Sequence, residues 1–395
     1  MSKAAKIVLK SGKDQSLRRR HPWVFSGAIK KIYGQPGEGE VVEVYDNKDE
    51  KLGMGHFQHG TIAVRMLSFG DATIDEGFIA KKIKEAWKHR KEEDLYQSGA
   101  TDVFRLVHAE GDGLPGLIMD YYNGTLVVQV HSVGMYRMLD EIAEAVKQLE
   151  GLPVDTIYHK SKNTLHDQAG VSVEDKLLLG ERLEGEVHEY GYIFKVNWAR
   201  GQKTGFFIDQ RENRKLLEKY SRGRDVLNMF CFTGGFSVYA LKGGAKMVHS
   251  VDSSGHAIDL TRENVEMNFP GGSSHEAFVT DAFEYLEDID QKYDLIILDP
   301  PAFAKHQRVL NNALQGYKRL NQKAIDQIRP GGILFTFSCS QAVSKENFRK
   351  SVFVAAANTG RNVRILHQIT QPVDHPVSIY HPEGEYLKGL VVKVD

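Results

Sequence analysis

Cys339 lies where an apolar strand meets a polar loop, in the run Phe335-Thr336-Phe337-Ser338-Cys339-Ser340, and the chain has one other cysteine, Cys231. Thiolates are strong nucleophiles, so a thiol at the mouth of an α/β site suggests covalent catalysis. Cys231 lies in a glycine-containing loop and is better explained as a small packed residue, since cysteine is often buried. Cys339 is therefore the candidate nucleophile, and a buried strand-end cysteine is the structural alternative.

A glycine-containing loop opens a helix after the first strand of the C-terminal region, Cys231-Phe232-Thr233-Gly234-Gly235-Phe236. Glycines let a ligand approach backbone N–H groups at a helix N-terminus. The next strand ends in Asp252, which is placed to accept hydrogen bonds from ribose hydroxyls, and the third strand ends in Asp281, which is placed to meet an adenine amino group. These residues fit either a nicotinamide dinucleotide or an adenosyl ligand.

The fourth strand ends in Asp299-Pro300-Pro301-Ala302-Phe303. Two prolines hold the turn after the carboxylate extended and rigid. Dinucleotide dehydrogenases do not need this feature, whereas methyltransferases acting on nitrogens or ring atoms of bases place such a segment against the flipped base. This strand end therefore favours an adenosyl cofactor.

These strand ends belong to a C-terminal region in which strands alternate with helical segments. Strands are predicted at 226–230, 248–252, 277–281, 295–299, 333–337, 363–366 and 389–394. The alternation predicts an α/β fold with a parallel sheet and right-handed crossovers. Ligands then bind at the carboxyl ends of the strands.

The N-terminal region is predicted to be a small β-barrel, with short strands at 7–9, 41–44, 52–55 and 62–67 between glycines. It resembles a PUA domain, an RNA-binding module, in His21-Pro22-Trp23-Val24-Phe25, the glycine-rich strand pair and the final Ile-x-Val-Arg strand. Residues 1–31 hold nine Lys/Arg against one acid, a net charge of +8. Such a cluster, which includes Arg18, Arg19 and Arg20, is the electrostatic signature of nucleic-acid binding; a solvated terminus is the alternative.

Between these regions, a separate α+β segment is predicted, with helices at 79–96 and 135–149 and strands near 156–158 and 186–188. A hairpin is predicted from 117–120 and 126–130 across Asn123-Gly124. The run Gly111-Asp112-Gly113-Leu114-Pro115-Gly116 is glycine-rich, but its proline and the lack of a following helix predict a turn and not a phosphate-binding loop.

Composition narrows the class of protein. A chain of 395 residues is expected to fold as two or three domains. Two cysteines without zinc-ligand spacing predict no disulfide framework and no metal, and favour a reducing, cytoplasmic location. We also expect no signal peptide and no membrane span, because the apolar runs are only of strand length.

Taken together, these motifs make the whole chain resemble the ribosomal RNA large subunit methyltransferase I family, and residues 192–395 resemble a class I S-adenosylmethionine-dependent methyltransferase. The matching segments are 204–211, 228–236, 299–303, 330–332, 337–340 and 383–389. The resemblance implies a PUA-like RNA-binding β-barrel (1–72), a central α+β domain (73–190) and a Rossmann-like methyltransferase domain (191–395). It also implies formation of 5-methylcytosine in 23S ribosomal RNA, supplied as large-subunit precursor or free RNA, with S-adenosyl-L-methionine as cofactor. Whether the protein forms a homodimer is left open.

By this resemblance, the segment from Phe207 to Arg211 flanks the methionine part of the cofactor. The structural alternative is a helix start that Asp209-Gln210-Arg211 cap and solvate. The residues predicted to bind the cofactor are Phe207, Asp209, Gln210, Phe230, Cys231, Thr233, Gly234, Gly235, Asp252, Ser253, Asp281, Ala282 and Asp299.

A cysteine is useful because carbon 5 of cytosine is a weak nucleophile, and addition of a thiolate to C6 makes C5 reactive. Asp299 is predicted to contact N3 of the base. Lys305 is one cation that could favour the thiolate, with a mobile loop lysine as the alternative. The predicted substrate contacts are Arg18, Arg19, Arg20, Pro300, Pro301, Lys305 and Phe303, the last as a stacking platform. The base that removes the C5 proton is left open between a carboxylate and water.

Three alternatives follow from the same residues. A methyltransferase acting on a base nitrogen would use the Asp-Pro-Pro-Ala-Phe segment and leave Cys339 structural. A non-catalytic RNA-binding or ribosome-assembly factor would retain the cofactor fold without turnover. A nicotinamide oxidoreductase is disfavoured by the two prolines after Asp299.

Overall fold

The computed structural model describes residues 4–97, 99–165, 172–287, 289–304 and 306–395. The chain forms two compact units, and each unit is made of three segments that are not contiguous in the sequence. The first unit contains Met1–His188, Val196–Phe206 and Val373–Gly384, and the second contains Glu189–Lys195, Phe207–Pro372 and Glu385–Asp395. The division into three domains at 72/73 and 190/191 stays a prediction.

The N-terminal part of the first unit is a curled six-stranded sheet in the order β2-β6-β5-β4-β1-β3. Alternating apolar residues of β1, β4 and β6 point into its core, with the four-residue helix α1 beside them. The bounds are β1 Ala5–Leu9, α1 Gln15–Arg18, β2 Trp23–Phe25, β3 Ile29–Tyr33, β4 Val41–Tyr45, β5 Lys51–Phe57 and β6 Ile62–Phe69. The predicted strands correspond to β1, β4, β5 and β6. The sequence analysis missed β2, which has three residues, and β3, which is mostly exposed and lacks alternation.

The central part of the first unit is a five-stranded sheet in the order β11-β10-β9-β8-β7. A buried cluster that includes Trp87, Phe104 and Tyr121 joins this sheet to its helices. The bounds are α2 Phe78–Glu92, β7 Val103–His108, β8 Leu117–Tyr122, β9 Thr125–Val130, α3 Val133–Arg137, α4 Leu139–Lys147, β10 Thr156–His159 and β11 Lys176–Leu179. A hairpin of β12 (Glu184–Glu189) and β13 (Tyr192–Asn197) follows.

Two predictions for this central part are confirmed and one is corrected. The hairpin of β8 and β9 turns across Asn123 and Gly124, both with positive φ. The run 111–116 is a turn that leads into β8 and not into a helix. The single helix predicted over 135–149 is instead two helices, because Met138 has non-helical backbone angles between α3 and α4.

The second unit is built on a seven-stranded sheet in the order β16-β15-β14-β17-β18-β20-β19. The strands are β14 Asp225–Met229, β15 Met247–Asp252, β16 His275–Val279, β17 Leu295–Leu298, β18 Gly332–Ser338, β19 Val363–Ile369 and β20 Lys388–Val394. The helices are α5 Arg211–Ser221, α6 Gly235–Lys242, α7 Gly255–Asn268, α8 Ala282–Tyr285, α9 Leu310–Gln327 and α10 Lys345–Thr359.

The first five strands of this sheet are parallel, as predicted, and β20 runs antiparallel between β18 and β19. Their apolar interiors pack into two buried layers. The carboxyl ends of β14 to β18 therefore meet at one edge, where the start of β20 also lies. Within the described residues, no helix is long and apolar enough to cross a bilayer.

Candidate active site

The loop after β14 is backbone-strained. Phe230 and Phe232 have φ of 58° and 49°, values that side chains other than glycine rarely adopt. Gly234 has φ of 76°, and a Cβ there would lie 2.7 Å from Cγ2 of Thr261. Such strain is retained where the surrounding structure requires one conformation, and it is frequent at ligand sites. The loop therefore has a defined path into the N-terminus of α6, where a ligand can meet backbone N–H groups.

Asp252, at the end of β15, orders this loop. One carboxylate oxygen accepts from the backbone N–H of Phe232 at 3.0 Å, and the other accepts from that of Ser254 at 2.9 Å. Each oxygen has a second lone pair, so the carboxylate can still accept from a diol. Ser253 beside it is exposed. The carboxylate of Asp252 thus has acceptor capacity for a vicinal diol, and its contact with ribose stays a prediction.

Asp281 follows β16 and caps the short helix α8. Its side chain accepts from the backbone N–H groups of Phe283 and Glu284, at 2.8 Å and 3.2 Å. The residue remains exposed, and Ala282 behind it is buried. Asp281 therefore has a structural role as an N-cap and still lies at the same sheet edge as Asp252.

The predicted methionine-flanking segment lies against the glycine-containing loop. The rings of Phe207 and Phe232 are 4.9 Å apart in an edge arrangement. The carbonyl of Phe207 accepts from Nη1 of Arg214 at 2.9 Å, and Arg214 itself is held by a buried, two-bonded ion pair with Glu189. The two segments predicted to contact one cofactor are thus adjacent.

The side chains of this segment do not cap α5. Gln210 stands at the N-cap without a capping hydrogen bond, and Asp209 accepts instead from the hydroxyl of Tyr386 at 2.7 Å. Both residues are buried. The alternative in which Asp209, Gln210 and Arg211 serve only to cap and solvate a helix is therefore not what the structure has.

Gln210 contacts Asp299, the carboxylate at the end of β17. Its Nε2 donates to Oδ2 of Asp299 at 3.0 Å, while its Oε1 accepts from Nδ2 of Asn213 at 2.6 Å. Because Asn213 occupies the amide oxygen of Gln210, the NH₂ end is directed at the carboxylate. The sequence analysis assigned Gln210 to the cofactor and missed this contact with Asp299.

Cys339 follows the last residue of β18, next to β17 in the sheet. Its thiol lies 3.9 Å from the carbonyl oxygen of Pro300, to which it donates, and it is partly exposed. Ser340 is fully buried, and its hydroxyl bonds to the Tyr317 hydroxyl at 2.8 Å and to the Ala304 N–H at 3.2 Å. The Ser340 side chain thereby ties the loop after β17 to the loop after β18.

Cys231 has the opposite environment. It is 5% exposed, and burial raises the pKa of its thiol to about 12. A thiol with that pKa is almost wholly protonated near neutrality and is a poor nucleophile. Cys231 is therefore a packed residue beneath the loop, and of the two cysteines only Cys339 meets the requirement for access.

The sequence analysis missed the role of Lys388, although it quoted the segment that contains it. Lys388 begins β20 opposite Ser338 of β18 and is 5% exposed. Its Nζ donates to the carbonyls of Ser340 and Val343 at 2.7 Å and 2.8 Å. Lysines are seldom buried, so there was no reason to expect one here from the sequence. The available indication was a charged residue at the start of an apolar strand.

Phe303, predicted to be a stacking platform for the base, packs against other residues of the protein. Phe303 is half-buried, 4.7 Å from the ring of Tyr317, and its ring covers Gly316, where a Cβ would lie 3.0 Å away. Pro300 is buried and Pro301 is exposed. Lys305 lies outside the described residues.

The three arginines of the N-terminal sheet differ. Arg18 bonds to Asp14, Asp46 and Glu50, each at 2.7–2.8 Å. Arg19 and Arg20 are exposed. Arg18 is thus paired with three carboxylates, whereas the guanidinium groups of Arg19 and Arg20 are exposed to solvent.

Comparison with known proteins agrees with this geometry. A model of S-adenosylmethionine-dependent methyltransferases matches residues 104–378, and a model of PUA-like domains matches residues 7–69. Ribosomal RNA large subunit methyltransferase I of Aeromonas hydrophila is 39% identical over 398 residues, covering 99% of each chain. The Escherichia coli protein of the same name is 36% identical, covering 99% of this chain and 100% of its own.

Solved structures show the same fold. A Streptococcus mutans protein assigned as an S-adenosylmethionine-dependent methyltransferase superposes with a TM-score of 0.83 at 23% identity, covering 98% of this chain and all of its own. A chain assigned as a methyltransferase and solved with SAH gives 0.84 at 24% identity and the same coverage. The predicted cofactor and fold are confirmed: the chain is an S-adenosylmethionine-dependent methyltransferase with a PUA-like N-terminal domain, and it belongs to the ribosomal RNA large subunit methyltransferase I family.

Proposed function

We propose that this protein methylates carbon 5 of a cytosine in 23S ribosomal RNA, with Cys339 as a covalent nucleophile. The observation that carries the proposal is the position of Cys339. Its partly exposed thiol lies 3.9 Å from the Pro300 carbonyl, beside the Asp299 strand end. The names of the full-length relatives support ribosomal RNA of the large subunit as the substrate.

The bound cofactor supplies an electrophilic methyl group on a sulfonium. The residues present fit it, because the α6 N-terminus, Asp252 and the Phe207 segment offer backbone donors, a diol acceptor and an apolar wall. Asp252 and Asp281 are proposed to hold the nucleoside part. Gly234 would keep the loop close to the ligand, because a larger residue there collides with Thr261.

Cys339 would act on the base by addition to C6. The sulfur–C6 bond forms, the C5–C6 double bond is lost, and the electron pair is taken up at N3, which gains a proton. C5 is then the nucleophilic carbon of an enamine and accepts the methyl group. N3 gives its proton back as the C4–N3 double bond is restored, a base removes the C5 proton, the C5–C6 double bond re-forms, and the thiolate leaves.

Asp299 is proposed to deliver the proton to N3. Its Oδ2 accepts a hydrogen bond from Gln210, which fixes the orientation of the carboxyl group at the end of β17. A group fixed before the base arrives costs no reorganisation during the reaction. Pro300 and Pro301 keep this carboxyl at the rim of the site.

The basic N-terminal sheet is proposed to bind phosphates. Arg19 and Arg20 are exposed, and the aromatic residues Phe25 and Tyr33 of the same sheet are exposed to 43% and 49%. Exposed cations and exposed aromatic rings in one part of the chain suit single-stranded or looped RNA, in which bases are free to stack. Arg18 is left out of this surface, because its guanidinium is engaged by three carboxylates.

Transfer of a tritiated methyl group to RNA from a strain lacking the enzyme, followed by nucleoside analysis, tests the proposal. We expect labelled 5-methylcytidine with the wild-type protein and with Cys231→Ala, and none with Cys339→Ala. Labelled N-methyl nucleosides would refute the carbon target. Undiminished 5-methylcytidine from Cys339→Ala would refute the covalent route.

A further inference from the structure

Lys388 is a buried ammonium that the mechanism above does not use. Its two hydrogen bonds go to carbonyls of the turn after Cys339, at residues 340 and 343. Among the described residues, no carboxylate lies within ion-pair distance of it. Burying a charged group without a counterion is costly, so a lysine in this position needs a reason beyond packing.

The strand register brings the amine to the catalytic edge of the sheet. Lys388 pairs with Ser338, the residue before Cys339, and its Nζ bonds to Ser340, the residue after it. Two of its three N–H donors are used by these carbonyls, which fix the head group in place. The charge is therefore held next to the loop that presents the sulfur.

The charges around Lys388 point to the sulfur as its counterion. Burial lowers the pKa of Lys388 to about 8, and attraction to Cys339 opposes that shift. Lys345 also lowers the pKa of Lys388 and Glu385 raises it, but these two side chains bind each other at 2.8 Å and largely cancel. Tyr317 also interacts electrostatically with Cys339.

We propose that Lys388 is a positioning residue that keeps Cys339 in its thiolate form for attack on the base. The inference rests on the proposed function, since it assigns Lys388 to the same nucleophile. Attraction between two charges is mutual, so an ammonium stabilised by a thiolate stabilises the thiolate equally. When the thiolate adds to C6, the negative charge leaves the sulfur for the base while Lys388 stays in place, ready to receive the thiolate on its release.

The pH dependence of Cys339 alkylation tests this without RNA or cofactor. Full-length protein carrying Cys231→Ala would be treated with iodoacetamide from pH 5 to 10, and the rate at Cys339 followed by mass spectrometry. We expect a midpoint below the usual cysteine value of about 8.5. In Lys388→Met the midpoint should rise by about one pH unit or more, with the same limiting rate at high pH.

Two variants separate charge from structure. Lys388→Arg keeps a cation and should keep the low midpoint, whereas Lys393→Met removes a half-buried cation from the same strand, one paired with Asp395, and should change nothing. An unchanged midpoint in folded Lys388→Met overturns the proposal. If that variant does not fold, a wild-type midpoint at or above about 8.5 overturns it instead.

RNA that contains 5-fluorocytidine distinguishes failure of this inference from failure of the proposed function. The experiment includes S-adenosylmethionine: once C5 has been methylated, fluorine stands in place of the C5 proton, so no base can drive elimination of the thiolate and the C6 adduct persists. If the wild-type protein forms no such adduct, the covalent mechanism is refuted, whatever the midpoint of Cys339 alkylation. An adduct formed with equal rates and equal pH dependence by wild type and Lys388→Met sinks only the role of Lys388.

Discussion

The side-chain amide of Gln210 donates to the carboxylate of Asp299, with Nε2 and Oδ2 3.0 Å apart. Gln210 precedes α5 and Asp299 follows β17, so the bond joins the predicted cofactor segment to the predicted base pocket within one unit. The amide is itself oriented by Asn213. Asp299 is thereby held by a chain of two hydrogen bonds, which favours one orientation of its carboxylate.

Replacing that amide by a second carboxylate should impair turnover. In Gln210→Glu the amide donor that orients Asp299 is lost, so we expect the methylation rate constant kcat to fall by at least about tenfold. The KM for RNA should change far less. Gln148→Glu makes the same change at an exposed position and should leave kcat unaltered. A Gln210→Glu enzyme with wild-type kcat would contradict the role of this bond.

Gly234→Ala should destabilise the protein and weaken cofactor binding. The alanine would adopt φ of 76° with its Cβ 2.7 Å from Thr261, so the backbone strain of about 1–2 kcal/mol is joined by about 1–3 kcal/mol of overpacking. Gly331→Ala is the matched control, with φ of 79° and nothing within 4 Å of the new Cβ. Chemical denaturation should show a larger loss for Gly234→Ala, and calorimetry with S-adenosylmethionine should show weaker binding. An equal loss of unfolding free energy in the two variants would contradict the clash, because it would mean that the Thr261 side chain moves aside at no cost.

Arg19 and Arg18 should behave differently in RNA binding. Arg19→Ala removes an exposed cation and should lower the slope of log affinity against log salt by about 0.7–0.9. Arg18→Ala breaks the contacts with Asp14, Asp46 and Glu50, so it should lower the melting temperature and leave the salt slope unchanged. A reversed pattern, with the slope carried by Arg18, would contradict the assignment.

His56 should make the protein less stable in mild acid. Burial, assisted by Arg65, lowers the pKa of His56 from 6.5 to about 4. The unfolded chain takes up this proton first as the pH falls, so the stability present above about pH 6.5 is lost as the pH approaches about 4. The loss is at most about 1.4 kcal/mol per pH unit.

Denaturation of His56→Gln at pH 7 and pH 5 checks this. The variant should lose less stability between the two values than the wild type, while the exposed His256→Gln should lose as much as the wild type. If His56→Gln shows the full acid sensitivity, then His56 stays neutral in both states or other groups dominate the titration.

The strand ends of the site could be predicted from the sequence because parallel strands are apolar runs that stop at a polar residue. This pattern placed Asp252, Asp299 and Cys339 at one edge. The sheet has this edge, with the cysteine beside the Asp-Pro-Pro segment. Local patterns were sufficient, since the end of each strand is marked by a change from apolar to polar residues.

The contacts between distant segments could not be predicted in this way. Lys388 reaches the turn after Cys339 only through the register of β18 with β20, and Gln210 reaches Asp299 only through the position of α5. The ion pairs of Arg18 were missed because charge counting ignores which acids lie nearby in space, and Asp46 and Glu50 come from the β4–β5 turn. Register and packing between segments far apart in sequence decide these roles.

The most direct test of the covalent mechanism is mass spectrometry of the protein after incubation with 5-fluorocytidine RNA and S-adenosylmethionine. The account predicts a denaturation-resistant complex in which the peptide containing Cys339 carries a methylated 5-fluorocytidine. Cys231→Ala should form the same complex, and Cys339→Ala should form none. A nucleotide attached to any other residue, or 5-methylcytidine produced from ordinary RNA by an enzyme that never forms this adduct, would contradict it.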